Sequence, residues 1–406
     1  VSQPVAITGV GVLCAAGRGL SALSEALVHN RFCGTRQQSA LPVSFGGVVE
    51  AALPPHPDHP DDRKADLAFA ALADALADAG LEPAHWPAPA RRAVFLGTGL
   101  SSVTPGELEE DLYPHLRDGR FDRAAMARDL SPDRAAPRRH MPARVTASIA
   151  RQIGAQGPTG TNFSACAAAS QAMLEGTRAI RRGEAELAVV GGHDSMLHPL
   201  GMLSFIVLGA LSPTRCRPFD RSRDGFMMGE GAAMFVLESL DHAQARGARI
   251  QALLLGGGTS VDAWNATAPH PEGTGAELAM RRALRDSGLS QDAVDYVNFH
   301  GTGTPLGDVA EAKAVARVFG PDIACSSIKG AVGHTIAAAG AVEAAACIAA
   351  LQHGLLPGTV GLDELDPALP LAPLAAPRAG KPRVMLSNSF GFGGQNCALL
   401  VGHPDA

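Results

Sequence analysis

A series of short apolar runs alternating with helical stretches begins at Val5 and begins again near residue 251, and this repetition leaves the chain few folds to adopt. In the first series, strands are expected at residues 5–11, 93–97, 187–192 and 233–238, with helices at 21–29, 65–81, 145–153 and 167–182. In the second, strands are expected at 252–256, 294–299, 384–388 and 397–401, with helices at 276–287, 308–319 and 336–351. Strands that alternate with helices specify an α/β fold. The restart predicts two pseudo-duplicated halves, residues 1–250 and 251–406, with a site at their seam. Gly9-x-Gly11 after the first strand lacks the third glycine and the acidic ribose partner of a dinucleotide loop, so nucleotide binding is not expected. Residues 51–62 read as a solvent-exposed loop and 100–140 as polar and irregular.

Within the first half, Gly157-Pro158-Thr159-Gly160 supplies a turn and Thr161 to Ser164 a short strand. Cys166 follows, and a helical pattern then runs to Arg181-Arg182 and stops at Gly183. A cysteine beside a helix N-terminus meets free N–H groups and the positive end of the macrodipole, which favour a thiolate and lower its pKa. Its neighbours Ala165, Ala167 and Ala168 are small enough to admit a substrate.

Three glycine-rich turns in the second half carry polar residues at strand ends: His300 to Asp308, Ser326 to His334, and Asn388 to Asn396. Either histidine alone would be an ordinary structural one, but a buried strand running into a glycine turn places a side chain at a cleft. A cysteine with two such histidines is a nucleophile supplied with donors for a developing oxyanion.

Composition narrows the alternatives. Hydrophobic residues at 46% and charged ones at 18% describe a globular chain able to bury a large core. The formal charge of −6 offers no general attraction for nucleic acid. The seven cysteines are scattered, odd in number and without a Cys-x-x-Cys pair, so neither a zinc site nor a disulfide framework is expected. A reducing cytoplasm fits this usage. The start of the chain shows no signal-like pattern, and the longest apolar run, 336–351, contains Glu343 and reads as a buried core helix, so no membrane insertion is expected.

Several ordered motifs give the chain a resemblance to the β-ketoacyl-acyl-carrier-protein synthases, the elongating Cys-His-His condensing enzymes of the thiolase superfamily. The Cys166 unit and the three glycine turns carry it. So do Arg217-Pro218-Phe219-Asp220-Arg221-Ser222-Arg223-Asp224-Gly225-Phe226, Gly229-Glu230-Gly231 and Thr267 to Gly273. The resemblance implies a thiolase-like fold layered α-β-α-β-α, with Cys166 as the acyl-accepting nucleophile. His300 and His334 match the pair that assists malonyl decarboxylation. Lys329 matches a lysine that sets the electrostatics of the second histidine, and Glu311 a site-ordering carboxylate. Thr302 and Thr304 match residues that hydrogen-bond a phosphopantetheine arm. Phe392 matches a gate whose N–H joins that of Cys166 in an oxyanion hole, and Phe205 an acyl-pocket wall.

The implied reaction is decarboxylative condensation of an acyl chain on Cys166 with malonyl-acyl-carrier protein. No cofactor or metal is implied, since substrates arrive on the carrier's phosphopantetheine. An acidic carrier would dock on basic residues, with Arg63 and Lys64 as the first candidates and Arg138 and Arg139 as the second. The family also implies a dimer formed through the strand preceding the nucleophile, either a homodimer or a heterodimer with a cysteine-less, chain-length-setting subunit. Two alternatives remain: this chain could itself be such a non-catalytic subunit, or a coenzyme A thiolase. Presence of Cys166 argues against the first, and absence of a second cysteine in the C-terminal glycine turn against the other. Gln395 where threonine is usual, a short segment before Arg217, a poor match over residues 100–140, and a Gly303 and Gly307 motif closer to that of modular polyketide synthases together favour polyketide or polyene substrates over housekeeping fatty acids.

Overall fold

In the computed structural model, residues 3–37, 41–60, 62–99, 113–129 and 141–406 are described. Ten strands form the backbone of the main sheet: β1 (Val5–Cys14), β2 (Arg92–Thr98), β3 (Thr159–Asn162), β4 (Leu187–Ser195), β5 (Glu230–Ser239), β6 (Ala252–Val261), β7 (Tyr296–Asn298), β8 (Cys325–Ser326), β9 (Val384–Gly391) and β10 (Gln395–Gly402). Their order is β8-β7-β9-β10-β6-β1-β5-β4-β2-β3. From the β1–β6 junction outward, each side repeats the same pairing: two antiparallel contacts, then two parallel ones. All five strands on one side precede residue 250 and all five on the other follow it, and β1 and β6 meet over only three residue pairs, Val5–Ile7 against Leu254–Ala252.

The period-2 alternation of the strands sorts their side chains into separate cores. In β5, Ala232, Met234 and Val236 pack outward with α2 (Arg63–Ala79) and α3 (Ala143–Gln152), while Ala233, Phe235 and Leu237 face the centre. In β10, Ala398 and Leu400 pack outward with α6 (Thr274–Ser287) and α7 (Pro305–Phe319), while Cys397, Leu399 and Val401 face the same centre. Between the two halves of the sheet lie α4 (Ala168–Arg181) and α8 (Ala339–His353). Five layers result. Every residue of α8 from Ala339 to Leu351 is buried, which is why its sequence is apolar all round. The apolar stretch 336–353 has the length of a membrane span but forms this central core.

Duplication is also written into the backbone. Ala165 and Ile336 both take φ of +47°, each opens a three-residue 3-10 turn (Ala165–Ala167 and Ile336–Ala338), and each turn feeds a central helix. A non-glycine residue in the left-handed region costs about 1–3 kcal/mol and persists where its surroundings hold it.

Some local expectations are corrected. The Gly9 and Gly11 positions lie against α2, where an added Cβ would fall 2.1 Å from the Ala75 carbonyl oxygen and 2.0 Å from that of Ala71. Those glycines permit helix-to-strand contact. Residues 51–62 are not wholly exposed: His59 is buried, and its Nε2 lies 2.9 Å from Ser148 Oγ. The segment 100–140 contains a helix at Arg123–Asp129. A helix unforeseen from the sequence, α5 (Pro199–Val207), begins at His198, whose Nδ1 accepts from the Gly201 N–H.

Candidate active site

Cys166 lies in the 3-10 turn just before α4, at the C-terminal end of β3. The segments bearing His300 and His334 approach from the other half, and one reactive atom from each of Cys166, His300 and His334 lies within 4.8 Å of the other two. His334 Nε2 is 3.1 Å from Cys166 Sγ, and the two imidazole rings stand edge to face with centroids 5.2 Å apart. All three side chains are buried at the inner end of a cavity of about 370 Å³.

Hydrogen bonds assign the tautomers of both rings. The Ile336 backbone N–H donates to His334 Nδ1 at 3.3 Å, so His334 presents Nε2–H to the cavity. The Lys329 ammonium lies 3.3 Å from His300 Nδ1, and since it has only donors, His300 likewise presents Nε2–H. Burial, and then the Lys329 cation, hold both imidazoles well below their ordinary pKa, so both are neutral donors at neutral pH.

One expectation about charge is corrected here, and the role of Lys329 is extended to the first histidine. Burial pushes the Cys166 thiol up to about 12, against the smaller lowering effects of Lys329 and the Phe392 backbone N–H, so desolvation outweighs the favourable helix end in the unliganded protein. Lys329 hydrogen-bonds His300, through Nδ1 and through its carbonyl oxygen at 2.6 Å, rather than His334. It also pairs with buried Glu343, whose carboxyl is raised by burial to about 7.

Replacing Lys329 with methionine removes a cation that lowers the His300 pKa. The pKa then rises, and the acid limb of any step that needs neutral His300 moves to higher pH. The pH profile of malonyl-thioester decarboxylation measures this, and an unmoved or oppositely moved limb would take Lys329 out of that role.

Glu311 receives the His300 and Gly301 N–H groups, each at 2.8 Å, and the Asn388 side-chain amide at 3.1 Å. Burial nevertheless raises its carboxyl to about 8. It clamps the His300 turn from α7, behind the ring. Thr302 and Thr304 line the cavity with their hydroxyls 3.1 Å apart. Phe205 lines it too, packed edge-on against Phe226 and near Phe392. Gly391, which precedes Phe392, sits so close to Cys166 that a Cβ there would lie 3.0 Å from its amide nitrogen.

Sequence reasoning missed the residues that hold the threonine turn. Asp308 accepts from the Phe219 N–H at 2.7 Å and the Gly303 N–H at 3.1 Å. Phe219 is held at φ +65°. Buried Arg223 reaches the Thr304 and Pro305 carbonyls and pairs with Asp366 at 2.6 Å. The Arg217–Phe226 signature is thus a brace for the turn. Its signal in the sequence was the clustering of charge with apolar residues.

The proposed carrier-docking residues fare differently. Lys64 is buried, drawn inward by its place on the core-facing side of the first turn of α2. Arg63 is engaged from within, by the Val49 carbonyl at 2.7 Å and buried Glu230 at 2.9 Å. Lys64 is thus turned away from the surface, while Arg63 is partly exposed but already paired. Arg138 and Arg139 lie outside the described residues. We expect Arg63→Glu to destabilise the fold by about 2 kcal/mol, because it sets two carboxylates together and strands Glu230; partial exposure of Arg63 keeps the cost below that of a fully buried pair. A urea midpoint that does not fall would contradict this.

A cysteine at the seam of a duplicated five-layer α/β fold, faced by two neutral imidazole donors, defines a thiolase-like condensing enzyme. The comparisons with known proteins agree. The Beta-ketoacyl synthase N-terminal domain matches residues 54–243 and the Beta-ketoacyl synthase C-terminal domain residues 251–363. The chain is 35% identical to the mitochondrial 3-oxoacyl-[acyl-carrier-protein] synthase of Arabidopsis thaliana, over 98% of this chain and 92% of that protein. It superposes on the ishigamide ketosynthase/chain length factor with a TM-score of 0.86, at 32% identity and 99% coverage of both chains. A ketosynthase in complex with its chain length factor from Xenorhabdus doucetiae gives a TM-score of 0.81, at 32% identity and 98% coverage of both. The chain belongs to the β-ketoacyl synthase family.

Proposed function

We propose that this protein joins an acyl chain held on Cys166 to a malonyl unit delivered by an acyl carrier protein, releasing CO₂ and a β-ketoacyl-carrier product. The observation that carries the reading is the convergence of the Cys166 sulfur with two imidazoles that both present Nε2–H. Cys166 attacks the incoming acyl thioester and expels the carrier thiol. In the second half-reaction, the bond from the malonyl α-carbon to its carboxylate breaks and its electron pair enters an enolate. The N–H groups of His300 and His334 hold the enolate oxygen, so no metal or cofactor is called for. The enolate carbon then attacks the acyl-Cys166 carbonyl. The resulting oxyanion is held by the N–H groups of Cys166 and Phe392, and its collapse expels the Cys166 thiolate.

Thr302 and Thr304, at the cavity wall, would hydrogen-bond the phosphopantetheine arm, Phe392 would gate the passage, and Phe205 would bound the acyl chain. A partner chain is expected on β3, which ends the sheet, and such an edge can pair with a second strand. That partner is a second copy or a cysteine-less subunit. The ketosynthase in complex with its chain length factor is the precedent for the latter. Gln395 and the shortened segment before Arg217 favour a polyketide or polyene chain over a housekeeping fatty acid. Free cysteines throughout the described residues suit a reducing compartment such as the cytoplasm. Incubation with a malonyl-loaded carrier and a series of acyl thioesters, followed by mass spectrometry of Cys166 and of the carrier, tests the reaction. Absence of a β-ketoacyl carrier with every acyl donor would overturn it.

A further inference from the structure

We propose that Asp194 is a positioning residue for His334, acting from the opposite half of the molecule through the turn that follows the histidine. The assignment rests on the condensing reading above and extends it to a residue outside the cavity. Asp194 lies at the end of β4 and is completely buried. One carboxylate oxygen accepts from the Ser195 N–H at 2.9 Å and the other from the Ala337 N–H at 3.1 Å. The space it occupies is reserved: a Cβ at Gly99 would fall 2.1 Å from Oδ2.

Ala337 is the middle residue of the 3-10 turn that opens at Ile336, the residue held at φ +47°. The N–H of that same Ile336 donates to His334 Nδ1 and keeps the ring proton on Nε2. Asp194 therefore anchors a strained turn one residue beyond the amide that sets the tautomer of His334.

Internal duplication explains why a carboxylate stands there. Ala337 occupies in its 3-10 turn the place that Cys166 occupies in the other. Each central helix is followed by a strand whose end returns to the matching turn, α4 by β4 and α8 by β9. At the Cys166 turn, the returning end is Gly391-Phe392, and the backbone is left close to a substrate cavity. At the Ala337 turn, the returning end is Asp194, which takes the equivalent amide for itself. One copy of the turn binds a substrate oxyanion in the proposed mechanism; the other binds a built-in carboxylate and serves as a fixed mount for His334. Lys64, buried on the first turn of α2, adds a positive field that lowers the Asp194 pKa against the larger effect of desolvation.

Asparagine at 194 keeps the shape but offers one acceptor and one NH₂ where two N–H groups converge, so one amide loses its partner. The Ile336 turn then relaxes and Nε2–H is no longer aimed at the enolate oxygen. The test uses the full chain, with an acyl-pantetheine thioester that the wild type loads and with malonyl-pantetheine. Intact mass follows loading of Cys166, and CO₂ release follows decarboxylation. We expect Asp194→Asn to load within about threefold of wild type and to decarboxylate about 10–100-fold more slowly, a fraction of the cost of deleting an oxyanion donor outright. Gly99→Ala, whose Cβ would fall 2.1 Å from Oδ2 and push the carboxylate off the Ala337 N–H, should show the same selectivity at about 3–10-fold. If Asp194→Asn does not fold, Gly99→Ala decides by the same criterion. Wild-type decarboxylation in the variants, or a parallel loss of both half-reactions, overturns the assignment. A wild type that loads but releases no CO₂ overturns the condensing reading itself, and this one with it.

Discussion

Cys166→Ala protein forms no acyl adduct and its condensation rate falls by roughly 10⁴-fold or more, the scale seen when a covalent catalyst loses its nucleophile. The same variant continues to release CO₂ from malonyl thioester, because the groups that hold the enolate oxygen are the two imidazoles and neither needs the sulfur. Alanine removes only Sγ, at the edge of an existing cavity, and the 3-10 turn is held by backbone and packs against Gly391, so the fold should persist. Intact mass spectrometry and a CO₂ assay on one preparation separate the two outcomes. A Cys166→Ala protein that still condenses would mean that another of the seven cysteines, or a direct transfer, carries the acyl chain. The remaining buried cysteines argue against the former: among the described residues no histidine is placed on any of them, whereas His334 Nε2 lies 3.1 Å from Cys166 Sγ.

His334→Ala has the opposite profile. Cys166 is still acylated, since the donors proposed for that step are the backbone amides of Cys166 and Phe392. Decarboxylation and condensation fall by about 10²–10³-fold, the cost of removing one preorganised donor from a buried oxyanion site. The loss should appear in kcat rather than in KM, because the hydrogen bond strengthens only as charge reaches the enolate oxygen. His300 remains in place, fixed by Glu311 and Lys329 on its own side of the cavity, and supplies the residual rate. Retained condensation would remove His334 from the mechanism. Loss of acylation instead would show that its 3.1 Å contact with Sγ matters for generating the thiolate.

Much of this was legible along the chain because it is set by near neighbours. Alternating and helical periodicities reflect which face of each element is buried, and they place β1, β2, β4, β5 and β10 within a few residues of their observed limits. Cys166 between a strand and a helix, and each histidine in a glycine turn, are likewise local patterns. They marked the reactive trio before any distance was known.

What a linear reading could not supply was environment. The thiol of Cys166 is pushed up rather than down because segments more than a hundred residues away bury it. Lys64 looked like a surface cation beside Arg63, yet the helix that carries it turns it into the protein, and Arg63 is taken up by Glu230, 167 residues later. Lys329 chose His300, not the nearer-numbered His334, because the glycine turn brings its ammonium under the other ring. Asp194 and Ala337 are 143 positions apart, and only the return of β4 to the second turn brings them together. Sequence alone determined the duplicated α/β frame and marked the cysteine and two histidines that the fold brings together, since periodicity and turn chemistry act over a few residues. Tertiary structure decided the charge, tautomer and partner of each group, since these depend on desolvation and on contacts that exist only once the halves have closed on each other.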